Sequence, residues 1–132
     1  MMTFVDTGGW YAVLVAADPR HRAVMEWISA SVGPLVTTDY VVDETLTLLC
    51  ARGYATRAVH FGRQMLDLSL HRVHYLQPDE IRRAWETFRD EPQRGWSFTD
   101  CTSKVFIERF HIKQVLGFDH HFNQFGALTL VP

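Results

Sequence analysis

Cysteine is scarce in this sequence: Cys50 and Cys101 are the only two among 132 residues. They stand far apart and form no CxxC pair, so nothing suggests a zinc knuckle or a thioredoxin-like redox site. Two free, partly buried thiols fit a cytoplasmic protein. No apolar run approaches the roughly 20 residues needed to span a bilayer. The opening Met1-Met2-Thr3-Phe4-Val5-Asp6 has no basic stretch and meets an acid at once, so no signal peptide is expected. Neither GxxxxGK[ST] nor GxGxxG occurs, which removes the usual support for a nucleotide-phosphate loop. Repeats, linkers and low-complexity tracts are missing as well, and residues 1–132 are expected to form one domain. Charge of one sign does not dominate: the formal net charge is −2. Composition alone therefore does not announce a nucleic-acid binder. With four acids set aside as metal ligands, the remainder turns positive. Most of that charge is arginine, which suits bidentate phosphate contacts.

What is present is an alternation of short apolar runs and longer helical stretches. Thr3-Phe4-Val5 reads as a buried strand, followed by a helix from Thr7 to Ala17. Asp18-Pro19 is a helix start, with Val24, Trp27 and Ile28 on one face, and Gly33-Pro34 ends that helix. Leu35-Val36-Thr37 is a second strand, and a helix from Asp39 runs to Arg52, where Gly53 stops it. Ala55 to Leu70 reads as a helix with Val59, Met65 and Leu66 inward; Val73 to Leu76 is a third strand. Pro78 opens a helix, Glu91 to Trp96 form a loop, and Thr99 to Phe110 a further helix. Gln114-Val115-Leu116 and Ala127 to Val131 complete five strands, with a turn or short helix from Asp119 to Gln124 between them. Strands alternating with helices imply an α/β fold with a parallel sheet covered on both faces. Ligands bind such sheets beyond the carboxyl ends of the strands.

Four acids fall where that rule points. Asp6 ends the first strand and precedes Gly8-Gly9, which allows close ligand approach at a helix start. An ordinary N-cap explains it equally well. Glu44 shares a partly apolar helix face with Tyr40, Val41, Thr47 and Leu48, whereas Asp43 lines up with Asp39 and Thr47 on a polar stripe. An acid on the apolar side needs a cation or a donor, so Glu44 is chosen over Asp43. Asp100 fits a capping box with Ser97, and an ion pair with Lys104, either of which accounts for it structurally. Asp119 follows the fourth strand, where a turn Asp is common. Together the four converge on one sheet edge. Gathered carboxylates raise one another's pKa, and a divalent cation removes that penalty. All-oxygen ligation suits Mg²⁺ or Mn²⁺ rather than zinc. A hydrated ion can position water for attack on a phosphodiester.

These residues resemble a known family. Phe4-Val5-Asp6-Thr7, the run Thr38 to Leu49, Ser97-Phe98-Thr99-Asp100-Cys101-Thr102-Ser103, and Gly117 to Phe122 look like the ordered motifs of PIN-domain proteins, across essentially the whole chain. The resemblance implies a three-layer α/β/α sandwich with a parallel five-stranded sheet and metal-dependent cleavage of RNA. By matching motifs, Asp6, Glu44, Asp100 and Asp119 become the metal-binding and catalytic acids. Many compact members are VapC-type toxins held inactive by a small antitoxin, and the family suggests a homodimer and products with a 5′-phosphate and a 3′-hydroxyl. The sequence departs from the pattern at Gly117, where many relatives carry Thr or Ser. It departs again at His121, where many carry a second acid, although a His-Phe pair after that Asp occurs in the group it most resembles.

Among seven histidines, His121 is the best placed for ligation because it adjoins Asp119. Arg94, in a loop beside Trp96, is a candidate phosphate contact with Trp96 as a stacking partner, weighed against a solvated Arg and a Trp covering the core. Lys104 is a second candidate for phosphate. Trp10, Tyr11, Leu14 and Trp27 outline an apolar groove for an antitoxin helix, weighed against ordinary core packing. The competing functions are a PIN fold that binds RNA or antitoxin without cleaving, favoured by Gly117 and His121, and an RNA-processing nuclease with no toxin role. A haloacid-dehalogenase-type phosphatase needs a second Asp two residues beyond the first, and Gly8 stands there.

Overall fold

Residues 1–132 are described in a computed structural model. The strands are β1 (Thr3–Val5), β2 (Leu35–Thr38), β3 (Arg72–His74), β4 (Gln114–Leu116) and β5 (Thr129–Val131). The helices are α1 (Thr7–Leu14), α2 (His21–Ala30), α3 (Asp39–Ala51), α4 (Ala55–Gly62), α5 (Pro78–Asp90) and α6 (Phe98–Arg109). The five strands lie in the order β3-β2-β1-β4-β5, and every neighbouring pair is parallel. Every residue of β1 and β2 is buried, whereas the edge strands β3 and β5 are partly open. That gradient explains why the central strands are apolar or threonine-rich and the edges tolerate Arg72 and Thr129. The helices pack over the sheet as the α/β reading expected, and none is long and apolar enough to cross a membrane.

The strand order locates the site. From β1 the chain steps outward to β2 and β3, then returns across the sheet to β4 and β5. The order therefore reverses between β1 and β4, and a crevice opens beyond their carboxyl ends. Val5 is in register with Leu116, and the Asp6 N–H donates to the Leu116 carbonyl at 3.1 Å. Asp6 and the segment leading to Asp119 thus leave the sheet side by side. Gly9 sets how closely α1 approaches β4, since a β-carbon there would lie 2.5 Å from the Leu116 oxygen. The role expected of the Gly8-Gly9 pair, close approach by a ligand, passes at Gly9 to helix–strand packing.

Several local expectations are corrected. The first helix ends at Leu14 rather than Ala17, and the second starts at His21, after a turn in which Asp18 Oδ1 accepts the Arg20 N–H at 2.8 Å. Across α4 and the turn that continues it, the inward residues are Ala58, Phe61 and Met65. Val59 and Leu66 point outward, 59% and 46% exposed, each one position out of phase with that stripe. The chain beyond Gly62 continues as a π-helical turn, Arg63–Asp67, not as an α-helix to Leu70. Trp10 and Tyr11 are buried while Leu14 and Trp27 are half-buried, so these four do not form an exposed groove. Cys50 is exposed and Cys101 buried, both as free thiols.

A buried ion network stands at the other flank of the sheet. The Glu80 side chain is fully buried and accepts the Gln77 N–H at 2.8 Å. It also meets His74 Nε2 at 2.8 Å and Arg109 Nη1 at 2.8 Å. Burial pushes its pKa up, but the hydrogen bonds from Gln77, His74 and Arg109 outweigh it and hold the carboxyl below its usual value. The network ties β3 and the start of α5 to the last turn of α6, far from Asp100 at that helix's start.

Candidate metal centre

Asp6 occupies the N-cap position of α1 with an extended backbone, yet its side chain makes no capping hydrogen bond. The carboxylate is thereby free of the structural role weighed for it. It is buried, and its pKa is raised to about 7. Burial is the main cause; a backbone hydrogen bond at Thr7 opposes it, and the charges of Glu44, Asp100 and Asp119 push it further up. The three acids that repel Asp6 are the three that the ordered motifs had brought together with it.

Each of those three is held by a local device. Thr38 caps α3, its Oγ1 accepting the Val41 N–H at 3.2 Å. This starts α3 in the phase that leaves Asp43 exposed and Glu44 half-buried. Thr7, in the first turn of α1, donates its hydroxyl proton to Glu44 Oε1. Asp100 completes a capping box at the start of α6: its Oδ2 accepts the Ser97 N–H at 2.8 Å, and its own N–H donates to Ser97 Oγ at 3.0 Å. Capping and site membership thus coexist in one side chain. The ion pair of Asp100 with Lys104 is not formed; Lys104 turns to Glu108 on the next turn of α6. Asp119 caps the 3-10 turn His120–Gln124, its Oδ1 accepting the His121 N–H at 3.0 Å.

His121 lies between two of the acids. Its Nε2 is 2.9 Å from Asp100 Oδ2 and 2.8 Å from Asp119 Oδ2. Ligand atoms of Asp100, Asp119 and His121 all fall within 4.8 Å of one another. A buried acid with a raised pKa, beside three others, is a strong electrostatic demand for a cation. Oxygen donors dominate the set, which fits a hard divalent ion. At Gly117 an added β-carbon would sit 3.4 Å from Asp6 Cβ. Gly117 therefore lines the immediate surroundings of Asp6.

The cationic candidates stand outside this cluster. Arg94 is exposed in the 3-10 turn Pro92–Arg94, 3.2 Å from Glu91, with its guanidinium 5.1 Å from the Trp96 ring centre. Trp96 itself is 6% exposed and donates Nε1–H to Gln124 Oε1 at 3.1 Å, so it covers the core and does not present a face for stacking. Thr7 is the supporting residue that motif reading passed over. Its signal was its place directly after Asp6, in the first turn of a helix facing α3.

A family model described as "PIN domain" matches residues 3–128. The Mycobacterium tuberculosis protein named 23S rRNA-specific endonuclease VapC20 is 30% identical over 131 residues, 99% of each chain. A VapC ribonuclease of Archaeoglobus fulgidus is 27% identical over 128 residues, 93% of this chain and 80% of that one. Among solved structures, M. tuberculosis VapC20, described as a sarcin-ricin loop cleaving toxin, superposes with a TM-score of 0.89 at 29% identity over the whole of both chains. FitAcB from Neisseria gonorrhoeae superposes with a TM-score of 0.69 at 14% identity, covering 100% of this chain and 97% of that one, a likeness of fold.

Proposed function

This chain belongs to the PIN-domain family, and on that footing we propose that it is a metal-dependent endoribonuclease, the toxin of a toxin–antitoxin pair. Asp6, Glu44, Asp100 and Asp119 hold Mg²⁺, or Mn²⁺ in its place, and act as the catalytic acids. The observation that carries this is the burial of Asp6 among three further carboxylates that raise its pKa. When bound, the ion supplies charge neutralisation and activation of water for hydrolysis of an RNA phosphodiester.

The chain's own residues supply placement. Thr7 fixes Glu44, Ser97 fixes Asp100, and the turn after Asp119 fixes that carboxylate. Ligands held this way need little reorganisation when the cation and substrate arrive. Asp119 is the most open of the four, with its side chain 44% exposed, so the substrate phosphate enters on that side. Arg94 and Lys104 are the proposed phosphate contacts. Their present partners, Glu91 and Glu108, are themselves well exposed. Such pairs are worth about 0–1 kcal/mol and yield readily to a phosphate.

The toxin role, the RNA substrate and a small antitoxin partner are supported by the names of the relatives, VapC20 and the A. fulgidus VapC ribonuclease. Assembly as a homodimer rests on the family resemblance. The test is cleavage of structured RNAs, ribosomal stem-loops included, by purified protein with Mg²⁺, with Mn²⁺ and with chelator. Cleavage that requires the ion and disappears in Asp6→Asn is expected. Cleavage unaffected by chelator, or equally fast in Asp6→Asn, overturns the proposal.

A further inference from the structure

The motif acids describe a cation site made of oxygen alone, and the structure adds a nitrogen to it. Building on the reading of these acids as a metal centre, we infer that His121 ligates the bound cation through Nε2, giving a mixed oxygen and nitrogen donor set that shifts selectivity from Mg²⁺ toward Mn²⁺.

The geometry is that of neighbouring ligands. With bonds of about 2.0–2.1 Å, adjacent ligands of an octahedral ion stand about 3 Å apart. His121 Nε2 lies 2.9 Å from Asp100 Oδ2 and 2.8 Å from Asp119 Oδ2. Nε2 thus stands at the spacing of adjacent ligands from both carboxylates and would need no change of rotamer to join them around an ion. In its neutral form the imidazole offers the Nε2 lone pair to an ion lying between the same two carboxylates.

The backbone delivers this arrangement as a unit. Asp119 divides its carboxylate, with Oδ1 taken by the His121 N–H at 3.0 Å and Oδ2 left to the site. The next residue, Phe122, is fully buried and packs on Phe4 and Phe125 at centroid separations of 6.4 and 5.4 Å. A core anchor on one side and an Asp cap on the other fix where the His121 ring stands. Adjacent His120 is exposed and forms no such contact. Imidazole favours transition ions, whereas Mg²⁺ takes oxygen ligands and retains its waters. A nitrogen here moves the ion preference in the direction stated.

The test uses the full chain loaded with Mn²⁺ and no RNA. Pulsed electron paramagnetic resonance reads directly coordinated imidazole as nitrogen modulation of the Mn²⁺ signal. The modulation is expected in the wild type and in His120→Gln, and is expected to vanish in His121→Gln. Calorimetry on the same proteins should show Mn²⁺ affinity falling about tenfold or more in His121→Gln, and Mg²⁺ affinity falling by a smaller factor. Mn²⁺ bound by the wild type without nitrogen modulation overturns the inference and leaves the carboxylate centre standing. An unchanged ratio of Mn²⁺ to Mg²⁺ affinity in a folded His121→Gln overturns it as well. Failure of the wild type to bind Mn²⁺ at all overturns both the inference and the nuclease reading.

Discussion

Replacing Asp6 by Asn should stabilise the metal-free protein while abolishing its cleavage of RNA. The Asp6 carboxyl titrates near 3.8 when unfolded and at about 7 when folded. Below the first value it is protonated in both states and costs nothing. Between the two, the unfolded chain releases a proton that the folded chain retains, so stability falls as pH rises. Above the second, the penalty is complete. A difference of about 3 units at 1.36 kcal/mol each sets an upper bound of about 4 kcal/mol. Asn escapes that penalty but leaves buried amide groups imperfectly paired, which costs about 1–3 kcal/mol. The net gain at pH 8 is therefore about 1–3 kcal/mol, or several degrees in Tm. Thermal melts in chelator from pH 4 to pH 8.5 give the readout. Asp6→Asn should melt higher at pH 8, with the gap closing as pH falls and reversing near pH 4, where only the amide's pairing cost remains. Added Mg²⁺ or Mn²⁺ should raise the wild-type Tm at pH 8 and leave that of Asp6→Asn nearly unmoved. Parallel curves for the two proteins across the whole range would show that Asp6 carries no such penalty, and the case for a cation demand would fail.

Gly9→Ala places a β-carbon 2.5 Å from the Leu116 oxygen. Urea denaturation should show a loss of about 1–3 kcal/mol from overpacking, and calorimetry a weaker affinity for Mn²⁺ as Asp6 shifts with α1. Glu80→Ala leaves His74 and Arg109 facing a buried gap. It should cost about 1–3 kcal/mol in the same assay, with ion affinity unchanged where the variant remains folded. Ser97→Ala removes the hydroxyl that caps Asp100 and should cost about 1 kcal/mol while cleavage stays within a few-fold. Asp100→Asn should lose cleavage even under conditions where its melting temperature matches that of Ser97→Ala.

The five strands and their parallel sense were legible because short apolar runs alternating with amphipathic helices leave few other layouts; the strand order was not. The ordered acids were legible as a set, since each stood at the end of a strand or in the helix after it. Glu44 could be told from Asp43 because a helix places them on different faces, and Thr7 meets only Glu44. What stayed hidden depends on phase and on distant contacts. The inward stripe of α4 and the following π-helical turn runs through Ala58, Phe61 and Met65, one position out of phase with Val59 and Leu66. Lys104 had acids one turn away on both sides, and spacing alone does not decide between Asp100 and Glu108. The Glu80 network joins residues 74, 80 and 109, a contact that no local pattern announces. His121 stood beside Asp119 in sequence, but its approach to Asp100, at the start of α6, is likewise a distant contact without a local signature.

The neighbouring of β1 and β4 has a consequence for when, during synthesis, the acids can first come together. A nascent chain that has left the ribosome only as far as α5 carries Asp6 and Glu44. It still lacks Asp100, Asp119 and the strand that lies against β1 on one side. Half of the charge that would trap an ion is translated in the final quarter of the chain, so an unfinished copy cannot assemble the four-acid cluster.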